Sequence, residues 1–243
     1  MPDQRHHRGQ HPQDHTLFAP DQMPVLRTAV AELAWLLSRG YAAASSLKLV
    51  GDRHELRQRQ RELVLRATCT DAQRAARAAT RVGPRAIAGM PVCIDGFNLL
   101  ITIEAALSNG LVFKSRDGAL RDISSVHGTY RSVEETQTAL LAIGETLQAL
   151  RPSAVTWFFD QPVSNSGRLA QRLRDLAAAR AWPWEVTLAM NPDQELIARR
   201  NEAILVSSDA LILDHAKRWL PLSECVLSAH APEFAWLDFG GDA

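Results

Sequence analysis

The 243-residue chain lacks the marks of several protein classes. It has no run of about 18 consecutive apolar residues, the length a membrane-spanning helix needs, so no span is expected. Its start, MPDQRHHRGQHPQDH, has no apolar core segment and does not read as a secretory signal. Cysteine is scarce: Cys69, Cys93 and Cys225 are odd in number and show no CxxC spacing. Neither a disulfide framework nor a zinc site is expected, and free thiols in a reducing cytoplasm are. Net charge is absent too, with 27 basic and 27 acidic residues. No zinc finger, no aromatic pair of an RNA-recognition sheet and no other base-reading motif is visible. Sequence-specific nucleic-acid recognition is therefore not expected.

What is present is an ordinary globular composition, 46% hydrophobic and 22% charged. The length suffices for a real core, in one large domain or two small ones. The two signs of charge are unevenly spread. Residues 1–23 hold 2 basic and 3 acidic side chains, residues 24–90 hold 12 and 5, and residues 91–243 hold 13 and 19. A basic part thus precedes an acidic part.

Residues 1–22, rich in His, Gln, Asp and Pro, are expected to form a disordered tail. Residues 23–88 read as a small basic α-helical domain. Leu26, Val30, Leu33, Leu36 and Leu37 share one helical face, and Gly40 is a stop. Further helices are expected over 42–50, closed by Gly51, over 52–65, and from a cap at Thr70 or Asp71 to about Val82. From residue 89 the pattern changes. Short apolar runs at 91–95, 154–160, 185–193 and 203–209, and a candidate at 234–239, alternate with helical stretches at 99–107, 133–149, 167–180, 193–200 and 209–218. Such alternation predicts βαβ units and a mainly parallel sheet buried on both faces. The fold class expected is therefore α/β.

Four of these segments end on an aspartate: Asp95, Asp160, Asp193 and Asp209. Ligands of open parallel sheets bind beyond the carboxyl ends of the strands, so the four acids are expected on one edge. Crowded carboxylates repel by roughly 1–4 kcal/mol per close pair. A hard divalent cation, Mg²⁺ or Mn²⁺, offsets that repulsion and takes oxygen ligands. Each acid also has a plainer reading as a helix N-cap, above all Asp193 and Asp209.

IDGFNLL, residues 94–100, resembles the first-strand signature of the NYN branch of PIN-like nucleases. FFD at 158–160, NPDQELI at 191–197 and ILVSSDALIL at 204–213 are similar to that branch's later acidic segments, with Pro192 where the branch has alanine. The resemblance implies a three-layer α/β/α domain over residues 89–243 and a metal-dependent nuclease usually acting on RNA. It implies Asp95, Asp160, Asp193 and Asp209 as metal ligands, Gly96 in a tight turn, and Asn98 orienting a water or phosphate. The helix-borne acid of better-known relatives has no clear equivalent, with Glu104, Asp122 and Glu134 as candidates. LLSRGYAAASSLKLVGDRHELRQRQRELVLR, 36–66, together with IDGFNLLITIEAAL, RDISSVHGTYR and FFDQPVSNSGRLA, resembles the domain-of-unknown-function 434 family.

Other residues suggest contacts to phosphate. Ser164 or Ser166 is a candidate cap for the helix after Asp160, and with Arg168 would form an anion site. The arginines of the basic part, Arg57 and Arg61 among them, suit a phosphate backbone or equally the acidic part of the same chain. The polar segment 114–130 reads as a loop or hairpin whose Arg121, Asp122, His127 and Tyr130 reach over the site. The expectation is a metal-dependent ribonuclease with RNA as partner, the helical part being able to form a homodimer. A non-catalytic RNA- or protein-binding module is the alternative. A phosphatase of the haloacid-dehalogenase kind is disfavoured, because Phe97 stands where its second acid belongs.

Overall fold

The apolar spacing along residues 23–38 builds an amphipathic helix, and its buried side chains Leu26, Ala29, Val30 and Leu33 seed the first core. In the computed structural model, which describes residues 7–9, 11–124 and 128–240, this helix belongs to an N-terminal helical region. That region comprises α1 (Asp14–Leu17), a 3₁₀ turn at Pro20–Gln22, α2 (Met23–Ser38), α3 (Ala43–Arg53), α4 (Gln58–Ala67) and α5 (Asp71–Thr80). Thr70, not Asp71, caps α5: its side chain accepts from the Gln73 amide at 3.1 Å, and Gln73 bonds back to Thr70 N–H.

Two expectations for this region need correction. Residues 11–22 are not an unstructured tail. They form α1 and the 3₁₀ turn, Phe18 is buried, and Asp14 pairs with Arg59 at 2.5 Å. Gly51 does not end α3 but lies inside it. A Cβ there would meet the Arg61 guanidinium at 2.5 Å, so the glycine is needed for packing rather than for a turn.

After a 3₁₀ turn at Pro84–Ile87 the chain becomes α/β. It runs through β1 (Pro91–Asp95), α6 (Gly96–Leu107), β2 (Val112–Lys114), β3 (Leu120–Asp122), α7 (Thr136–Leu150), β4 (Ala154–Asp160), α8 (Ser166–Ala179), β5 (Trp184–Ala189), α9 (Pro192–Ala198), β6 (Ile204–Val206), α10 (Ala210–His215), α11 (Leu222–His230) and β7 (Leu237–Asp238). The main sheet is parallel throughout, in the order β5-β4-β1-β6. A small second sheet has the order β3-β2-β7, with β2 and β3 antiparallel. Expected helices and strands thus fall largely where the alternation put them. Helix α11 was not expected, and the strand expected over 234–239 is two residues long and pairs with β2.

Period-two alternation sorts the main sheet's side chains onto two faces. Val92 and Ile94, Val155, Trp157 and Phe159, and Ile204 and Val206 join one core with α6, α7, α8 and α11. Cys93, Phe158 and Leu205 point the other way, onto α9, α10 and Trp219. Each large apolar side chain fully buried this way contributes roughly 1.5–3 kcal/mol. The helical core does not stop at the sheet domain: Phe113, Ile123 and Phe239 of the second sheet's neighbourhood pack with Leu26, Leu33 and Leu63. Among the described residues no helix is long and apolar enough to cross a membrane.

Candidate acidic edge and adjoining cleft

The same alternation aims the acids. Asp95 follows Cys93 by two residues, and Asp160 follows Phe158 by two, so both belong to the face covered by α9 and α10. Asp193 stands in the first turn of α9, and Asp209 is the N-cap of α10. Four carboxylates therefore gather beyond the carboxyl ends of β1, β4, β5 and β6.

Burial first, and repulsion second, shifts their protonation. Burial pushes the Asp95 carboxyl up to about 7, with Asp193 and Asp209 adding repulsion. Asp193 is also raised, first by burial and then by Asp209 and Asp160. Asp160 is raised by burial. No Arg or Lys pairs with Asp95, Asp160 or Asp193 among the described residues.

Hydrogen bonds fix part of the group. Ser207 Oγ donates to Asp95 Oδ2 at 2.8 Å and accepts the Asp209 N–H at 2.9 Å. Asn98 Oδ1 accepts from both Ser208 N–H, at 2.8 Å, and Ser208 Oγ, at 3.0 Å. That orientation leaves the Asn98 amide nitrogen without a hydrogen-bond partner among the described residues. Asp95 Oδ1 receives a long cap bond, 3.4 Å, from Asn98 N–H. Asp209 caps α10 by accepting from Leu211 and Ile212 N–H. Asp193 is not a cap, because Asn191 fills that role by accepting Gln194 N–H at 3.1 Å. Gly96 is not in a turn requiring glycine; a Cβ there would meet the Phe159 ring at 2.4 Å.

A buried ionic network holds the Ser207–Ser208–Asp209 turn from behind. Arg77 of α5, 2% exposed, donates to Asp117 at 2.6 Å, to Asp214 and to the Ala210 carbonyl. Asp117 also receives both terminal nitrogens of Arg121, whose Nε donates to the Ser208 carbonyl at 2.8 Å. Despite its burial, the Asp117 carboxyl is held well below the usual range by the Arg121 guanidinium, with Ser115 and the Ala119 N–H. Sequence reading placed Arg77 only among the arginines that suit a phosphate backbone or the acidic part of the chain, and singled out none of Asp117, Ser207 or Ser208 as part of the site. The serines stood in the SSD string, but nothing local links Arg77 to a turn more than a hundred residues away.

Other candidates fall elsewhere. Glu104 is fully buried and bonded to Arg8, Tyr130 and Thr136, so it serves packing rather than the acidic edge. Asp122 accepts from Thr102 Oγ1 and Ser124 N–H. Glu134 is exposed. Ser164 and Ser166 do not cap α8: Asn165, at φ 69°, occupies the N-cap, Ser164 N–H bonds the Gly128 carbonyl, and Ser166 is buried. Arg168 is exposed on the first turn of α8. Arg61 is spent on the Leu56 carbonyl and Asp52, whereas Arg57 is exposed at the other end of α4 from the acids. His127 lies outside the described residues.

A cleft of about 500 Å³ opens beside the acids, between the N-terminal helices and the sheet edge, and Asn98, Ser208 and Asp209 line it. A larger hollow of about 890 Å³ lies at the opposite ends of the strands, near Pro84 and Leu150.

Fold and site together define an α/β protein with an acidic edge braced by an N-terminal helical region. The chain belongs to the family described as "Domain of unknown function (DUF5616)", whose model matches residues 84–225. Residues 25–79 match a second model, "Protein of unknown function (DUF434)". The chain is 28% identical over 188 residues to an uncharacterized protein of Methanocaldococcus jannaschii, covering 77% of this chain and 88% of that one. No solved structure matches the chain.

Proposed function

We propose that the chain is a Mg²⁺- or Mn²⁺-dependent ribonuclease on a PIN-like fold, acting in a reducing cytoplasm. The observation that carries this reading is the gathering of Asp95, Asp160, Asp193 and Asp209 from four strand ends, close enough for Asp193 and Asp209 to raise Asp95 and for Asp160 and Asp209 to raise Asp193. Such repulsion costs stability unless positive charge relieves it.

Among the described residues no group of three or more acidic, histidine or cysteine side chains is placed to hold a metal ion. Mg²⁺ does not need such a group, because it keeps several waters and binds through one or two carboxylates. The all-oxygen set fits a largely hydrated ion of that kind, with Asp95 and Asp209, joined through Ser207, as its nearest holders. Bound there, the ion would supply charge neutralisation and a more acidic water. The chain's own residues do the rest. Asn98, its carbonyl held by Ser208, presents an N–H to a phosphate oxygen or water. Asp160 and Asp193 stand ready to accept a proton from the water, their raised carboxyls suiting them to proton transfer nearer neutrality. Arg168 offers positive charge to the phosphate.

The test is cleavage of mixed single-stranded RNA with Mg²⁺ or Mn²⁺. Cleavage should be lost in Asp95→Asn with folding retained. RNA binding that survives this substitution, with no cleavage by the unaltered protein under any divalent ion, would instead identify a binding module. The cap bonds of Asp209 favour that second reading.

A further inference from the structure

We infer that the cleft between the N-terminal helices and the sheet edge seats one unstacked nucleoside of a single-stranded substrate, next to the phosphate at the acids. The inference rests on the reading of the acidic edge as a site for phosphodiesters. Three observations carry it. First, Asn98 and Asp209 belong to both places, so whatever fills the cleft lies against the acids. Second, the cleft's walls suit a nucleoside. Leu37 and Leu65 supply an apolar face, and Leu65 is 41% exposed, a surface for the flat side of a base. Third, two donors line the cleft beside the Asp122 and Asp209 carboxyls. The exposed Arg66 guanidinium gives one hydrogen bond to the Asp122 carbonyl, and no ion pair holds it among the described residues. The Asn98 amide nitrogen is the other donor, since its oxygen is taken by Ser208.

Arg77 and Arg121 also line the cleft, but Asp117 and Asp214 neutralise them, so they shape the wall rather than attract an anion. The volume of about 500 Å³ falls within the range of small-ligand pockets, about 300–1,000 Å³. A base enters such a cleft only when splayed out of a stack, which selects single strands over duplex. On this reading the N-terminal helical region chooses the substrate while the sheet edge acts on it.

The experiment is fluorescence anisotropy with a labelled ten-nucleotide oligouridylate in EDTA at fixed low salt, where nothing is cleaved. Leu65→Asp should weaken binding at least tenfold. Leu49→Asp, at a still more exposed leucine of α3 outside the cleft, should leave it unchanged. Arg66→Gln should weaken binding about threefold and flatten its salt dependence. Circular dichroism and urea midpoints show that each variant is folded; if Leu65→Asp is not, Leu65→Ala replaces it, with a threefold loss expected. Binding by folded Leu65 and Arg66 variants equal to that of the unaltered protein overturns the inference, as does failure of the unaltered protein to bind. Cleavage assays in Mn²⁺ separate the two ideas. If the Leu65 variant cleaves as fast as the unaltered protein, the cleft assignment falls and the nuclease reading stands. If nothing cleaves but the Leu65 variant loses binding, the nuclease reading falls and the cleft assignment stands.

Discussion

Ser207 Oγ stands 2.8 Å from Asp95 Oδ2 and receives the Asp209 N–H at 2.9 Å, so one hydroxyl ties the ends of β1 and β6 together. It stabilises a carboxyl that burial works against. Asp95 titrates at about 7, far above the ordinary aspartate value of 3.8. Between those two values the folded state binds a proton that the unfolded state does not. Stability therefore falls as pH rises from about 4 to 7 and stays reduced above it. Asp95→Asn should be more stable than the unaltered protein in EDTA at pH 8, by a few kcal/mol at most, and about equal to it at pH 4. Urea unfolding at the two pH values measures this. Adding Mn²⁺ should raise the thermal midpoint of the unaltered protein and leave that of Asp95→Asn nearly unmoved.

Arg77→Met should cost about 3 kcal/mol in urea unfolding, because it removes one of the two guanidiniums that pair with buried Asp117 and two of the contacts that hold α10. The Asp117 carboxyl is lowered in the fold, so its ionic contribution is full above about pH 4 and is lost as pH falls toward its folded value. The deficit of Arg77→Met relative to the unaltered protein should shrink below pH 3.

Arg8→Ala should destabilise by about 2 kcal/mol at pH 8, since it leaves buried Glu104 without its cation at 2.9 Å. Burial already raises the Glu104 carboxyl, and losing Arg8 raises it further. Protonation then relieves the loss, so the deficit should narrow at pH 5. A deficit independent of pH would refute this account of the N-terminal segment.

Gly96→Ala should cost about 2–3 kcal/mol through overpacking, because its Cβ would fall on the Phe159 ring. The cost should largely vanish in Gly96→Ala/Phe159→Leu compared with Phe159→Leu alone, a double-mutant cycle that locates the clash.

The sequence by itself determined the layered architecture and the side of the sheet where its acids stand. Period-two strands and 3.6-residue helices are local patterns, and an aspartate two residues beyond Cys93 or Phe158 must share their face. It also carried the short-range caps, such as Thr70 with Gln73. Only the tertiary structure decided which polar groups meet. Arg77 and Asp117 are 40 residues apart, Arg8 and Glu104 are 96, and Ser207 and Asp95 are 112. No local periodicity encodes such pairings; they follow from how the helices pack against the sheet. The same packing turned Gly51 and Gly96 from apparent punctuation into contact points, folded residues 11–22 onto the helical region, and opened the cleft beside the acids.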